Sequence, residues 1–501
     1  MILYRSRVAP RRARFFKIDY SSFASGMNSE VDENLMPNQF AKLSFNYISK
    51  SGALKTGIGF KGLKLPKSET SASDEREVFL PANVKILKAW HFKRYSNMYE
   101  QKEHCIVYYC DNKKLYFFKL ISIDPNSFYV DSALEFKSVP NALNYKLNGN
   151  DVMIFTSPQD DLVVFDPTNG IKIVSTAPKI VSMCIHYERL FAIVEGERNE
   201  IRFSDDLDPT NWTISPTAGG FITFADGLGR LSKVVSFADY VYVIREYGIS
   251  RISAYGDQND FSVSNVFSSS GKIYGESAQV CGNKILFLSK SGIHVFDGIS
   301  ARKIELNLDS LFDGVRNDFA CSAYFDNKYY IALKLEFNDG EKIGCEIGDF
   351  KNNALLEYDL SNGAINILRG VDISSLSGVE EGIVSKLIAT FGSQFCGKIG
   401  ELTKDGCVFG APLKKVWKSP FSNLGYPSSK KIVKEIEICS KFDCKVKVKT
   451  DKTEKIFCLT GKDRANVVRP NLNFEKIEVS FMTDGADADI SSPTMKIGVF
   501  S

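Results

Sequence analysis

The stretch FDPTNGIKIV, at residues 165–174, has a close counterpart in YDLSNGAINI, at residues 358–367. Each copy places an aromatic residue and an Asp before an Asn-Gly pair, and alternating apolar residues follow. The aromatic residue is expected to close an inner strand. The Asp bonds its own backbone to start a turn, and Asn-Gly supplies the positive φ that a tight hairpin requires. Phe296-Asp297-Gly298 opens a weaker third copy. Each copy therefore predicts a β-hairpin.

Outward from these hairpins, the same pattern continues from about residue 82 to residue 400. Short aromatic or β-branched runs, such as YVYVI at 240–244, alternate with turns rich in Asp, Asn and Gly. Helical periodicity is scarce, and we expect short helical turns only near residues 35–42 and 308–317. Hairpins recurring without helices predict an all-β fold, a β-propeller of six to seven four-stranded blades. The spacing is too irregular to support a WD40 or kelch pattern, and two β-sandwiches in series are the competing architecture.

A domain boundary is predicted near residues 404–412, where Gly406, Gly410 and Pro412 cluster. We therefore expect an extended basic arm and docking hairpin at residues 1–80, the propeller at 81–405 and a C-terminal β-sandwich at 406–501. Alternation in CKVKVK, residues 444–449, places the cysteine and valines on one face and the lysines on the other. Such a strand has one buried side and one wet side.

The beginning of the predicted sandwich is rich in lysine. Residues 413–456 hold 12 Lys against 5 acidic residues, a local excess of 12 − 5 = +7. Lysines commonly protect an edge strand from aggregation, which is the interpretation we favour. A face that binds a polyanion is the alternative.

The N-terminal stretch carries six basic residues before the first acidic one, Asp19; they are Arg5, Arg7, Arg11, Arg12, Arg14 and Lys17. No apolar core of a secretory signal follows them, so export by that route is not expected. The stretch is either a solvated terminus or an arm that docks on an acidic neighbour or on phosphates.

Composition excludes several classes of protein. The chain has 501 residues, 44% hydrophobic and 25% charged, which are ordinary values for a folded soluble protein. No apolar run approaches the length of a membrane-spanning helix. The net charge of +3 is too small for a protein that coats a polyanion over its whole surface. Abundant Phe and Tyr favour strands.

Catalytic and metal-binding patterns were sought without success. The eleven cysteines form no C-x-x-C pair, so we expect reduced, mostly buried thiols and no metal site. The four histidines are His91, His104, His186 and His294, and all lie in strand-like runs beside bulky residues. Acidic clusters fit no calcium loop and are explained by turn-forming Asp. We therefore predict no catalytic residue and no cofactor, and a chain that is not an enzyme.

Three segments carry a resemblance. The first combines FASGMN at 23–28 with LMPNQFA at 35–41, Asn46-Tyr47 and GALKTG at 52–57; the third pairs residues 239–252 with 287–298. The second is IRFSDDLDPTNW at 201–212. In order and spacing, the segments resemble the tail β-propeller proteins of tailed bacteriophages, the tail-hub, nozzle or stabilisation components of short-tailed phages and prophages. Ser25 and Thr56 depart from the glycine and arginine expected in that family.

The second segment resembles a hairpin motif of the same family, carried here by Asp205, Asp208, Pro209 and Trp212. The Asp-Pro turn is expected to fold Trp212 back onto its own strand pair, which is a packing role that requires no ligand.

The resemblance implies a virion tail component, assembled in the host cytoplasm, that forms a ring around the DNA exit channel below the portal. It implies a homo-oligomer, expected to be a hexamer, with portal, adaptor or other tail proteins as partners and double-stranded DNA passing transiently through its lumen. No membrane-spanning segment is expected. The six basic N-terminal residues would then be interface residues.

Two rival functions stay open at the level of sequence. One is a propeller-type glycoside hydrolase or polysaccharide lyase with a carbohydrate-binding C-terminal domain, which requires two or three carboxylates in a funnel on the propeller axis. The other is a receptor-binding tail protein. Its visible candidates for glycan stacking are Trp417 and Tyr426.

Overall fold

The structure is a computed structural model. It describes residues 13–500 except 24–25, 34, 38, 69–70, 97–100, 120–128, 132–133, 168, 198, 342, 344–348 and 383. The described residues contain strands and three short 3-10 helices, Gln258–Asp260, Asp309–Leu311 and Ser393–Phe395, and no α-helix. The second 3-10 helix lies in one of the two regions where we expected a helical turn. The described residues of the other region, 35–37 and 39–42, form hydrogen-bonded turns instead. Within this part of the chain, no helix is long and apolar enough to cross a membrane.

Seven strands come from the N-terminal segment. They are β1 Ala13–Asp19, β2 Leu43–Phe45, β3 Tyr47–Lys50, β4 Ala53–Thr56, β5 Gly59–Gly62, β6 Lys64–Ser68 and β7 Ser71–Glu77. The last two form a separate hairpin.

Six four-stranded antiparallel sheets follow, each built from consecutive strands. Sheet 1 has β8 Ile86–Ser96, β9 Gln101–Cys110, β10 Leu115–Lys119 and β11 Tyr129–Val130; sheet 2 has β12 Asn141–Leu147, β13 Asn150–Thr156, β14 Leu162–Asp166 and β15 Gly170–Val174; sheet 3 has β16 Ile180–His186, β17 Arg189–Val194, β18 Glu200–Phe203 and β19 Gly220–Thr223. Sheet 4 has β20 Leu231–Phe237, β21 Tyr240–Arg245, β22 Gly248–Ser253 and β23 Ser262–Ser268; sheet 5 has β24 Ile273–Cys281, β25 Lys284–Ser289, β26 Gly292–Phe296 and β27 Ala301–Lys303; sheet 6 has β28 Cys321–Phe325, β29 Lys328–Leu333, β30 Ala354–Asp359 and β31 Ile365–Arg369.

Sheet 7 is completed by the N-terminal segment. Its consecutive strands are β32 Ile373–Glu381, β33 Val384–Phe391 and β34 Ile399–Thr403, and β5 pairs with β34 in register Gly400 to Gly62. The short strands β35 Cys407–Val408 and β36 Ala411–Pro412 extend it. Pairing covers an edge of the sheet that would otherwise expose unsatisfied backbone groups.

The remaining strands belong to two sheets that face each other across one core, which we call the sandwich. They are β37 Lys415–Lys418, β38 Lys431–Ser440, β39 Cys444–Thr450, β40 Glu454–Leu459, β41 Asn466–Val468, β42 Leu472–Phe474, β43 Ile477–Thr483 and β44 Asp489–Phe500. One sheet has the order β3-β4-β44-β38-β41, with β1 pairing β44 and β42 pairing β38, and the other is β2-β37-β43-β39-β40. The stretch predicted as arm and docking hairpin, residues 1–80, thus supplies strands both to the sandwich and to sheet 7.

The seven sheets have a propeller-like arrangement. The first strand of each sheet contacts the first strand of the next, and β32 of sheet 7 contacts β8 of sheet 1. A separate apolar cluster fills each space between neighbouring sheets, including the space between sheets 7 and 1. Between sheets 1 and 2, for example, the rings of Phe117 and Phe165 stack with centroids 4.2 Å apart. Burying such a side chain contributes about 1.5–3 kcal/mol. The prediction of an all-β, propeller-like fold is therefore confirmed.

The repeated stretches occupy one position in three sheets. They form the turns between the third and fourth strands of sheets 2, 5 and 6, so the aromatic residue closes a third strand, which lies between two others in its sheet. Asp166 Oδ1 accepts a hydrogen bond from the Asn169 backbone N–H at 3.3 Å. Gly170 has a φ of +86°, as the Asn-Gly pattern predicts.

Candidate functional site

Two of the six basic N-terminal residues lie within the described part of the chain. Arg5, Arg7, Arg11 and Arg12 lie outside the described residues, whereas Arg14 and Lys17 are exposed on β1. Lys17 Nζ lies 2.7 Å from Glu437 Oε2 on β38, and this hydrogen bond raises the pKa of Lys17 and lowers that of Glu437. Strand β1 pairs with β44 from Ala13 opposite Phe500 to Asp19 opposite Thr494.

The chain after β1 enters the sandwich core. Tyr20 is 1% exposed, and its hydroxyl donates to Ser419 Oγ at 2.5 Å. Phe23, from the first resembling segment, packs edge-on against Trp417, with ring centroids 5.0 Å apart. Desolvation raises the pKa of Tyr20 far above its ordinary value. These contacts fix the C-terminal end of β1 at the sandwich core.

Asn46 joins the sandwich to sheet 6. Its Nδ2 donates to the carbonyl oxygens of Lys414, at 2.7 Å, and Arg369, at 3.2 Å, while its Oδ1 accepts from the Arg369 backbone N–H at 2.7 Å. The residue is buried and has a φ of +62°, a conformation that Asn tolerates better than most residues. The Asn-Tyr pair noted in the sequence is therefore a structural junction.

A charged cluster surrounds this junction. The Arg369 guanidinium lies 2.7 Å from Asp339 and stacks over Phe337, with 4.3 Å between Cζ and the ring centroid. Glu341 contacts Lys414 at 2.6 Å and Lys418 at 2.8 Å. The hydrogen bonds from both lysines outweigh desolvation and lower the pKa of Glu341 to about 2. Sequence reasoning missed this cluster because its partners are far apart in the chain.

The Asp-Pro-Trp motif lies in the connection between β18 and β19, the position that the repeated hairpins occupy in other sheets. Asp208 Oδ1 accepts from the Thr210 backbone N–H at 2.9 Å, and Asp205 Oδ2 accepts from Asn211 Nδ2 at 2.8 Å. Trp212 Nε1 donates to the Pro209 carbonyl at 2.9 Å. The indole is 8% exposed and packs in the cluster between sheets 2 and 3.

Hydrogen bonds join six of the seven pairs of neighbouring sheets at or beside their first strands, the strands that contact one another around the propeller axis. We call this set the axial belt: Lys88 Nζ to Asn141 Oδ1 (2.6 Å), Asn141 Nδ2 to the Val181 carbonyl (2.7 Å), the Val234 N–H to Ser182 Oγ (3.2 Å), Lys233 Nζ to the Glu276 carbonyl (3.3 Å), Ser322 Oγ to the Ser277 carbonyl (2.8 Å) and Thr390 Oγ1 of β33 to the Leu87 carbonyl (3.1 Å). Each bond joins one sheet to the next. The belt therefore fixes the seven sheets relative to one another.

The belt carries charge at its centre. Burial lowers the pKa of Lys88, Glu276 opposes that shift and Lys233 adds to it. These three residues come from the first strands of sheets 1, 4 and 5, which surround the axis.

The first strands of the seven sheets contain three acidic residues. Glu276 lies near the start of β24, and Glu380 and Glu381 lie at the end of β32. Glu380 accepts from the Asp326 backbone N–H, and Glu381 pairs with Lys93. The described inner strands therefore place these acids in opposite halves of the strands. A glycosidase requires two carboxyl groups roughly 5–10 Å apart.

The histidines are packed inside sheets. His91 Nε2 lies 2.9 Å from His104 Nδ1, and burial lowers the pKa of His91 to about 3. Burial also lowers the pKa values of His186 and His294, which contact Ser236 Oγ and the Gly292 carbonyl respectively. The described cysteines are free thiols, and Cys345 lies outside the described residues. In the same part of the chain, no group of three His, Cys, Asp or Glu side chains is placed to hold a metal ion.

The lysine-rich strand differs from one of our expectations. Cys444, Val446 and Val448 are buried as the alternation predicts, but β39 lies between β43 and β40 and is not an edge strand. Lys445 pairs with Asp484 at 2.6 Å and Lys447 with Glu454 at 2.8 Å. Glu454 belongs to the lysine-rich region itself, whereas Asp484 comes from later in the chain and offsets part of its excess charge.

The two aromatic candidates for glycan stacking lie in different surroundings. Trp417 is 2% exposed within the sandwich core, so it presents no platform to solvent. Tyr426 is 39% exposed and stacks on Phe16 of β1, with ring centroids 6.5 Å apart.

This geometry defines an all-β protein with a propeller-like arrangement of sheets. No family model and no curated protein matches the chain. Among solved structures it is similar to BBS1N, described as a complex with ARL6DN soaked with mercury, at 10% identity and a TM-score of 0.41, covering 66% of this chain and 97% of that one. It is also similar to the RRP9 WD40 repeats, at 8% identity and a TM-score of 0.40, covering 65% and 99%. Because both TM-scores are low, neither likeness carries an argument about this chain.

Proposed function

We propose that the chain is a non-catalytic structural subunit of a bacteriophage or prophage tail, which forms a ring around the DNA exit channel below the portal. Its partners would be further copies of itself, expected as a hexamer, and portal, adaptor or other tail proteins. The support from sequence is the resemblance of three ordered segments. Asn46 and Trp212, both within those segments, have structural roles in the fold.

The observation that carries the proposal is the distribution of the N-terminal strands. Strands β1 to β4 pair within the sandwich, and β5 pairs with β34 of sheet 7. A pull on the sandwich therefore acts on backbone hydrogen bonds of the propeller-like unit as well as on the chain connection. Mechanical continuity of this kind suits a subunit that bears load and performs no turnover.

We further infer that the seven sheets are seven blades and that DNA passes between copies of the chain, not along a propeller axis. Neighbouring first strands approach to within 8 Å between Cα atoms, and the axial belt ties neighbouring sheets together around the axis. A B-DNA duplex, whose major groove alone is about 12 Å wide, is too large to pass along an axis surrounded by seven first strands held at this spacing from their neighbours. The lumen must then be formed by the ring.

The charges near the axis also favour scaffolding over glycoside chemistry. Glu276 is accompanied by Lys88 and Lys233, while Glu380 and Glu381 lie at the far ends of the inner strands. An acid and a nucleophile on facing strands would be needed for hydrolysis.

Mass measurement by light scattering tests the proposal. We expect the purified full chain to form a closed oligomer whose mass is a fixed multiple of 56.0 kDa. A chain that stays monomeric at every concentration and after mixing with the portal protein would contradict it. Deletion of residues 1–12, which precede the paired strand β1, is expected to reduce assembly while leaving the fold intact.

A further inference from the structure

A group of tyrosines is exposed where sheets 3 and 4 meet. Tyr187 lies in the turn between β16 and β17 and Tyr255 follows β22; their side chains are 47% and 76% exposed. Their rings meet edge to face, with centroids 5.6 Å apart. The Tyr187 hydroxyl donates to Asp239 Oδ1 at 3.4 Å. We call Tyr187, Asp239 and Tyr255 the tyrosine face.

Tyr187 lies in a two-residue hairpin turn. Tyr187 and the following Glu188 have φ values of +44° and +66°. A tight hairpin turn requires positive φ at both positions, and the first hairpins of sheets 2 and 6 have it at Asn148-Gly149 and Asp326-Asn327. The conformation places the Tyr187 ring beside Tyr255.

The surroundings of this face are acidic. Glu188, Asp239 and Asp257 are all exposed. The neighbouring cation, Arg251, is already placed over the ring of Tyr240, with 4.6 Å between its Cζ and the ring centroid. Exposed aromatic rings beside carboxylates match the chemistry of the arginine side chain, which stacks on rings and pairs with carboxylates.

Residues 1–12 of this chain have the complementary composition. They contain Arg5, Arg7, Arg11 and Arg12 together with Tyr4, and no acidic residue. They precede Ala13, which is held opposite Phe500 at the sandwich. A segment of this length spans at most about 40 Å when extended.

The two features are different surfaces of the molecule. The sandwich packs against sheets 5 and 6, where Phe45 contacts Phe337 with centroids 6.3 Å apart. The tyrosine face lies where sheets 3 and 4 meet, and sheet 4 adjoins sheet 5. A contact between the basic segment of one copy and the tyrosine face of the next joins two unlike surfaces, so it is head-to-tail, and head-to-tail contacts generate closed rings when the rotation closes.

We propose that the arginines of residues 1–12 of one copy bind the tyrosine face of the neighbouring copy. This rests on the ring proposed above and names the surface that receives the basic segment. Each arginine would stack on Tyr255 or Tyr187 and pair with Asp239 or its acidic neighbours.

Photo-crosslinking in the full chain tests this. A benzophenone amino acid replaces Tyr4, and ¹⁵N-labelled and unlabelled chains are mixed before assembly and irradiation. We expect cross-links between peptides of unlike isotope that join position 4 to residues 187, 239 or 255. Combining Tyr255→Ala with Asp239→Asn should lower their yield at least tenfold, whereas Tyr247→Ala, a tyrosine that is 43% exposed outside the tyrosine face, should leave it unchanged.

The outcomes separate the two proposals. Rings that form without these cross-links, or with cross-links only between peptides of one isotope, would overturn the tyrosine face as receptor while leaving the ring in place. A face that instead binds free glycans, with unaltered cross-links in the double variant, would also overturn it. Cross-links between copies without closed rings would support the contact and contradict the ring.

Discussion

The Glu341 carboxylate lies 2.6 Å from Nζ of Lys414, and this pair connects the loop between β29 and β30 to the segment that enters the sandwich. Both side chains are largely buried, with 15% and 26% of their surface exposed. The same carboxylate contacts Lys418. The attachment of the sandwich to sheet 6 therefore depends on charge as well as on apolar contact.

Glu341→Gln should destabilise the protein by about 1–3 kcal/mol at pH 7, since two lysines lose their charged partner. The pKa of Glu341 is lowered from 4.5 to about 2 in the folded state. Its contribution is therefore complete above pH 4.5 and is lost as the pH falls towards 2. Urea denaturation of both proteins from pH 7 to pH 2.5 should show the difference shrinking. Glu435→Gln, at an exposed pair with Arg469, is the control and should change stability by less than about 1 kcal/mol.

Two substitutions of Asn46 distinguish the contribution of its hydrogen bonds to stability from that of its backbone conformation. Asn46→Gly keeps the positive φ and loses the side-chain bonds, so we expect a loss of about 2 kcal/mol. Asn46→Ala loses both and should cost about 1 kcal/mol more. Denaturation curves of the two variants measure the difference. Equal stabilities would show that the left-handed conformation is not required at this position.

The stability of the protein should depend more on the aromatic ring of Trp212 than on its indole N–H. Trp212→Phe removes the hydrogen bond to the Pro209 carbonyl and should cost about 1 kcal/mol. Trp212→Ala removes the ring from the cluster between sheets 2 and 3 and should cost about 3–5 kcal/mol. Neither variant should affect assembly at temperatures where it is folded. If the folded Trp212→Phe protein no longer forms closed oligomers, the indole belongs to an interface between copies instead.

Because the pKa of Lys88 is lowered in the folded state, we expect the stability of the protein to rise at alkaline pH. Its pKa is lowered from 10.5 in the folded state, chiefly by burial, so the unfolded chain holds the proton to higher pH. Stability from this group therefore increases as the pH rises towards 10.5. Thermal unfolding between pH 7 and pH 10 should show a smaller rise for Lys88→Met than for the parent. The exposed Lys172 on β15 supplies the control, Lys172→Met, which should follow the parent.

The part of the fold that local sequence predicts is the hairpin. The Asp and Asn-Gly positions of residues 165–174 determine a turn through bonds within four residues, and the 444–449 alternation determines which side is buried. The pairing of β5 with β34 and of β1 with β44 joins segments hundreds of residues apart. Such pairing leaves no periodic trace in either segment. For the same reason the Glu341 cluster and the axial belt were not foreseen.

Candidate interface residues were only partly accessible to sequence reasoning. The excess of arginine before Ala13 is visible as composition, but the exposed pair Tyr187 and Tyr255 is assembled by two turns of different sheets. The alternation that marks a buried strand says little about residues in turns. Trp417, named as a candidate for glycan stacking, is instead a core residue.

Electron microscopy of the purified full chain tests the central claim most directly. The account predicts closed rings in which each copy shows one propeller-like body and one sandwich, around a lumen wide enough for a DNA duplex, and a marked loss of these rings when residues 1–12 are deleted. Single propeller-like particles at every concentration tested, with and without the portal protein, would contradict it.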